Sequence, residues 1–279
     1  MYLKKFYLKL ITLSQLICLS FISSMALADE SIEKKSVAFP DKFMLRIGSY
    51  FVDKATTNIT ILSNAGIGSG INFKDDLGGK DTDSIPRIDA YYRFNNRHRM
   101  DFTSFNVERP GSKTLTVDLT IGDETYNATE TLTSKIKYTL YKLGYAYSFY
   151  HSADVELSLL AGLSFTTYDI SYSLEDGSRA DTSDVTAPLP TIGLSMGYKI
   201  SPNWSVHYKS ESFFIELDDA IKGALLTYEL DIEYKLFNNF AIGAGVSRLS
   251  TNVDIKKDNW KGSIEDSHRG FLLYGTLYF

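Results

Sequence analysis

A chain of 279 residues with 34 acidic and 29 basic side chains carries a formal charge of −5, and no basic patch interrupts that balance, so nucleic acid is not an expected partner. Beyond the first 28 residues it has no apolar run of about 18 residues, which excludes a transmembrane helix. Aromatic residues make up 14% of the chain, with 19 tyrosines and 17 phenylalanines, enough to furnish the interfacial girdles of a membrane barrel.

The chain opens with Lys4, Lys5 and Lys9, continues through a largely apolar stretch at 10–22, and reaches the small-residue pattern Ala26-Leu27-Ala28. This predicts a secretory signal over 1–28, removed near Ala28. Lipidation is not expected, because Ile17 precedes Cys18 where a lipoprotein signal carries a small residue. Removing the first 28 of 279 residues leaves about 251, with a charge of about −8 and no cysteine that could mispair in an oxidising compartment. Residues 29–42 then read as a periplasmic N-terminal segment, and 43–279 as the folded domain.

Ten strands are predicted across that domain, at about 43–52, 84–94, 98–108, 132–150, 154–174, 186–200, 203–216, 224–236, 240–256 and 265–279. Short turns around Asn95, Ser152, Pro202 and Asn238 alternate with long connections at about 53–83, 109–131, 175–186, 217–223 and 257–264. That rhythm predicts an antiparallel up-and-down transmembrane β-barrel, all-β, with short turns on one side and long loops on the other. An even count places both ends on the short-turn side; eight or twelve strands are the alternatives. Residues 59–73 could form their own hairpin, and 112–121 could pair with 124–131.

Leu226, Tyr228, Leu230, Ile232, Tyr234 and Leu236 alternate with Thr227, Glu229, Asp231, Glu233 and Lys235. A soluble two-layer sheet shows the same period, but here many strands repeat it in series and no helical segment could cover the apolar face. A closed barrel would turn Arg46, Arg87, Asp89, Arg93, Asp101, Lys142, Lys199, His207, Lys209, Glu211, Glu229, Asp231, Glu233 and Lys235 inward. Those charges could pair across the lumen as a structural plug. Alternatively they could line a narrow hydrated passage for ions or small solutes.

The last strand places Phe271, Leu273, Gly275, Leu277 and Phe279 on one face, opposite Asp266, His268, Gly270, Leu272, Tyr274, Thr276 and Tyr278. It resembles the terminal assembly signal of Gram-negative outer-membrane β-barrels. Together with the signal segment and the serial strands, the chain resembles the small outer-membrane barrel superfamily that includes the OmpA transmembrane domain and OmpW-like proteins. Tyr92-Arg93-Phe94-Asn95 and His98 are the other motif-like residues. The resemblance implies the outer membrane as location, membrane lipid and lipopolysaccharide as surroundings, and the barrel-assembly machinery and periplasmic chaperones as partners during biogenesis. It implies a non-enzymatic structural or narrow-channel role and no cofactor. Those families have eight strands where ten are expected here, and a peptidoglycan-binding domain after the barrel, as in OmpA, is not expected.

A second resemblance is confined to two spacings. Omptin proteases are ten-stranded barrels with an aspartate pair and an aspartate-histidine pair at the rim, and this chain has Asp81-Thr82-Asp83 and Asp266-Ser267-His268. Residues two apart on a strand share a face, so a carboxylate could orient a histidine acting as general base on water. Surrounding residues do not match. His98 and His151 fall in short turns, and His207 lies too far from His268 to share a metal, so no defined metal site is expected. Gly66-Ile67-Gly68-Ser69-Gly70 lacks dinucleotide-loop spacing. Acids in the long loops, among them Asp75, Asp76, Asp118, Asp123, Glu124, Glu175, Asp176, Asp181 and Asp184, would repel lipopolysaccharide phosphates unless divalent cations bridged them. The same loops could serve adhesion or receptor roles.

Overall fold

The structure is a computed structural model that describes residues 42–63, 68–80, 83–121, 123–217, 221–257 and 260–279. The expected signal, nearly all of the N-terminal segment and Asp81 lie outside the described residues. Residues 40–279 form one compact unit.

Its strands in chain order are β1 (Phe43–Ile61), β2 (Gly70–Asn72), β3 (Asp83–Arg93), β4 (His98–Thr114), β5 (Leu119–Ile121), β6 (Glu124–Tyr126), β7 (Thr131–His151), β8 (Val155–Leu174), β9 (Ala180–Lys199), β10 (Trp204–Leu217), β11 (Ile221–Phe237), β12 (Phe240–Lys257) and β13 (Trp260–Tyr278). Ten of them, β1, β3, β4 and β7 to β13, follow one another antiparallel around a ring. Pairing of β1 with β13, from Met44↔Tyr278 to Ile61↔Gly262, closes it. The ten-strand expectation is met, and eight and twelve are set aside. β2 adds to the upper part of β1, from Asn58↔Asn72 to Thr60↔Gly70, and β5 pairs with β6 as a separate two-stranded sheet among the described residues.

Several strands run past their expected ends: β1 continues to Ile61, β4 to Thr114, and β9 and β13 begin at Ala180 and Trp260. The cause is a reversal of hydropathy phase along each wall. On β8, Leu159, Leu163 and Phe165 face outward and are exposed, while Ser158, Ser164 and Thr166 are buried inside. Farther from the short turns the same strand buries Tyr168, Ile170, Tyr172 and Leu174 and turns Thr167, Asp169, Ser171 and Ser173 outward. One stretch is built for lipid outside and polar contacts inside; the next is built like a soluble barrel.

At the long-loop end, Phe73, Leu77, Ile121, Tyr126, Leu132, Tyr172 and Ile264 belong to one buried apolar cluster. The stretch 73–80 lies against β4, where a Cβ on Gly78 would come 2.3 Å from the Ser112 carbonyl oxygen, and Gly78 also has φ of 68°. One seam is incomplete: β9 and β10 pair only from Lys199↔Ser205 to Ile192↔Ser212. Pro188 and Pro190 follow on β9 beyond that point, and neither can donate to a ladder.

Candidate functional site: a paired-charge lumen beneath an aspartate-histidine pair

The lower lumen is crossed by ion pairs between opposite walls. Arg46 on β1 reaches three acids of β11, with Asp231 at 3.1 Å, Glu229 at 3.6 Å and Glu233 at 3.7 Å. Arg87 on β3 bonds Glu229 at 2.6 Å and its own-strand neighbour Asp89 at 2.9 Å. Lys142 and Lys209 share Glu211, the latter at 3.5 Å. Closer to the short turns, Arg93 makes a two-pronged contact with Glu156 at 2.8 and 3.0 Å, and Arg99 holds Asp101 at 2.6 Å. Charges withdrawn from water need such partners, since an isolated one in this setting costs several kcal/mol (order of magnitude).

β12 makes room for this layer by presenting glycines to it. A Cβ on Gly243 would come 2.2 Å from the Tyr274 ring, and one on Gly245 would come 2.1 Å from Asp231 Oδ1. With those positions empty, Tyr274 lies beneath the Arg46 guanidinium at 3.9 Å, and Thr276 and Tyr278 both donate to Glu233.

Above the ion pairs is a cavity of about 60 Å³, whose floor includes Lys142, Lys209 and Glu211 and whose walls include Phe105, Leu225 and Leu249. His268 also lines it. The His268 ring meets Asp266 Oδ2 through Nε2 at 2.5 Å, while Thr57 donates to Asp266 Oδ1 at 2.7 Å. Arg109 donates to Thr57 Oγ1 at 2.6 Å and to the Lys80 carbonyl, and the Tyr138 ring stacks on His268. Both dyad residues are buried, and among the described residues His268 Nδ1 has no hydrogen-bond partner. A carboxylate that bonds one ring nitrogen fixes the tautomer and leaves the other available as a base.

The two predicted pairs thus meet different fates. Asp266 and His268 are together on β13. Asp83 pairs with Val52 across β1 from Gly270, close in height to His268, but its side chain and all of Asp81 lie outside what is described. Of the remaining residues singled out in the sequence, His207 bonds Ser205 at 3.1 Å, Lys235 lies 5.5 Å from the Tyr278 ring, and Lys199 pairs in the ladder with Ser205. His98 contacts Tyr145, and His151 lies 3.3 Å from the Asn96 carbonyl. Phe271, Leu273 and Phe279 are exposed on the outer wall, with Gly275 and Leu277 between them in the same row; Phe279 exchanges two 2.9 Å backbone bonds with Phe43. Sequence reasoning missed Arg99, Arg109, Thr57 and Glu156. Arg99 is two residues from Asp101 and therefore shares its face, a signal that was available.

No protein-family model matches the chain, and no curated protein matches it in sequence. Among solved structures, the outer membrane protease OmpT from Escherichia coli is similar with a TM-score of 0.60 and 13% identity, over 89% of this chain and 100% of that one. The translocator domain of the autotransporter NalP from Neisseria meningitidis gives 0.44 at 9% identity, over 96% and 98%. The attachment invasion locus protein Ail of Yersinia pestis, in complex with the heparin analogue sucrose octasulfate, gives 0.35 at 13% identity, over 85% and 99%. The chain has the fold of the small Gram-negative outer-membrane β-barrels.

Proposed function

We propose that this chain is a non-enzymatic outer-membrane barrel whose lumen is a cross-braced core rather than an open pore, so that it acts as a rigid scaffold for its long-loop end. The observation that carries this reading is Arg46 held among Asp231, Glu229 and Glu233, with Arg87 on the same Glu229. Membrane placement is supported by the exposed outward side chains Ile47, Leu159, Val246 and Phe271, which belong to an apolar outer surface larger than a soluble monomer normally shows to water. Purified protein in planar bilayers is expected to give no discrete conductance steps. Neutralising Glu229, Asp231 and Glu233 together should destabilise the barrel. Small reproducible steps whose ion preference shifts in that triple variant would establish the narrow channel instead. Absence of both heat-modifiable migration and outer-membrane fractionation would remove the membrane reading altogether.

A second reading, peptide hydrolysis, is favoured by one observation: a histidine fixed by Asp266, with its other ring nitrogen unpartnered and a cavity alongside. Peptide cleavage that disappears in His268→Gln while the folded barrel persists would support it. Cleavage unchanged in that variant would exclude the dyad.

A further inference from the structure

On the outer wall, three cations stand side by side in one row of the sheet. Lys54 on β1 pairs with Arg269 on β13, and Arg269 pairs in turn with Arg248 on β12. All three are exposed, Arg269 with 63% of its side chain open. Like charges directly opposite in an antiparallel pair repel, so a row of three has to be offset by something else. Within the protein the offset is small. Asp53, the bulge residue beside Lys54, lies 3.4 Å from Arg269, and among the described residues neither Lys54 nor Arg248 has an ion-pair partner.

The surroundings point to what supplies the missing charge. Toward the short turns the same three strands present Phe51, Phe271 and Val246, with Phe51 stacked on Phe271 at 5.1 Å between centroids. From Phe271 to Phe279 the outward positions of β13 are apolar or glycine, and that nine-residue stretch matches the roughly 9–11 residues of a membrane-crossing strand. Toward the long loops the next outward row is Thr56, Ser267 and Ser250, all hydroxyls, followed by Asn58, Glu265 and Asn252. An ion at the cation row would therefore have acyl-compatible surface on one side and hydroxyl donors on the other.

Resting on the membrane placement proposed above, we infer that the Lys54–Arg269–Arg248 row is a docking site for the phosphate of a lipid headgroup, whose acyl chains lie along Phe51, Phe271 and Val246. Arginine suits the role because its planar fork bonds two phosphate oxygens at once. Contact here is direct and needs no divalent cation, unlike contact through the acidic loops.

The test uses the folded chain in nanodiscs of phosphatidylcholine alone or doped with phosphatidic acid, reading lipid retained in native mass spectrometry and the thermal unfolding midpoint. Phosphatidic acid should be retained in preference and should raise the midpoint. Replacing Arg248 and Arg269 together by serine should weaken retention about tenfold or more, near the worth of two surface cations beside an anionic lipid. Lys54→Ser should weaken it less. The double variant should be no less stable than wild type in phosphatidylcholine alone, because it relieves repulsion. Lys135 and Lys137, already matched by Glu108 on another part of the outer wall, provide the control pair, and their replacement by serine should leave retention unchanged. Inorganic phosphate added to phosphatidylcholine discs should move nothing. Equal retention of both lipids, equal retention by wild type and the double variant, or an equal shift with free phosphate would overturn the inference. Failure of the chain to enter discs as a heat-modifiable barrel would instead overturn the membrane placement on which it rests.

Discussion

The guanidinium carbon of Arg46 lies 3.9 Å from the centre of the Tyr274 ring. Its other side faces Asp231, Glu229 and Glu233, so one cation is held between an aromatic face and three carboxylates. Removing it would leave acids buried with too little positive charge nearby. Arg46→Met is therefore expected to cost about 3–5 kcal/mol, the range for breaking a buried pair from one side. Arg46→Lys should cost less, retaining charge but losing the fork. Urea unfolding of the refolded barrel, followed by tryptophan fluorescence, measures both. A methionine variant as stable as wild type would mean that the lumen is wet enough to solvate the acids unaided.

Gly245 is small because Asp231 occupies the space a side chain would fill. Gly245→Ala should destabilise by about 1–3 kcal/mol, as overpacking does, by pushing Asp231 away from Arg46. Combining it with Asp231→Ser should cost less than the two single changes added together. Strict additivity in a double-mutant cycle would show that the contact is not what requires glycine.

At the long-loop end, Glu130 accepts the Asn127 amide at 2.6 Å and pairs with Arg179 at 2.8 Å. The Asn127 bond foremost, and the Arg179 charge after it, hold this carboxyl below its ordinary value. A carboxyl depressed in the folded state contributes stability that is present above its unfolded value and is lost as pH falls through the folded one. The Asn127 amide proton should accordingly titrate with a midpoint below the usual glutamate range, and should not titrate in Glu130→Gln. A midpoint at or above that range in the wild type would refute the clip.

How far the fold could be read depended on which part of a strand was in view. Near the short turns, polar-in and apolar-out alternation runs without interruption, and β11 from Leu226 to Leu236 announced Glu229, Asp231 and Glu233 directly. Above that zone the phase inverts, so the same period continues with its meaning exchanged and a reading by polarity ends the strand there. On β1 a bulge between Val52 and Lys54 inserts Asp53 at the point of inversion and shifts the inward positions from even to odd numbers, which hid Thr57, Ile59 and Ile61. On β9, Asp181 and Asp184 fall in the stretch 175–186 that read as a loop, although the segment pairs with β8 as far as Ala180↔Ser173. The site was legible in the same uneven way. Asp266 and His268 share a face by spacing alone, but Thr57 and Arg109 reach them only through ring closure and the cross-lumen packing of distant strands. Glu156 sits one residue into β8, where a charge beside a turn looks like rim solvation.

The inversion of phase also fixes where lipid should end, and two lysine substitutions on one face of one strand test it. Leu159 and Ser171 both point outward on β8, twelve residues apart, the first exposed within the apolar belt and the second among Thr167, Asp169 and Ser173. A lysine near the middle of the hydrocarbon layer costs about 2–4 kcal/mol in a barrel, falling to about 0–1 near the interface. Leu159→Lys should therefore lower the unfolding free energy in phosphatidylcholine vesicles by an amount near that upper range. Ser171→Lys, standing in water, should change it by no more than about 0.5 kcal/mol. The gap between the two is the diagnostic quantity, because a soluble barrel would accept an exposed lysine at either site. Equal and small effects would mean that the belt around Leu159 does not face lipid.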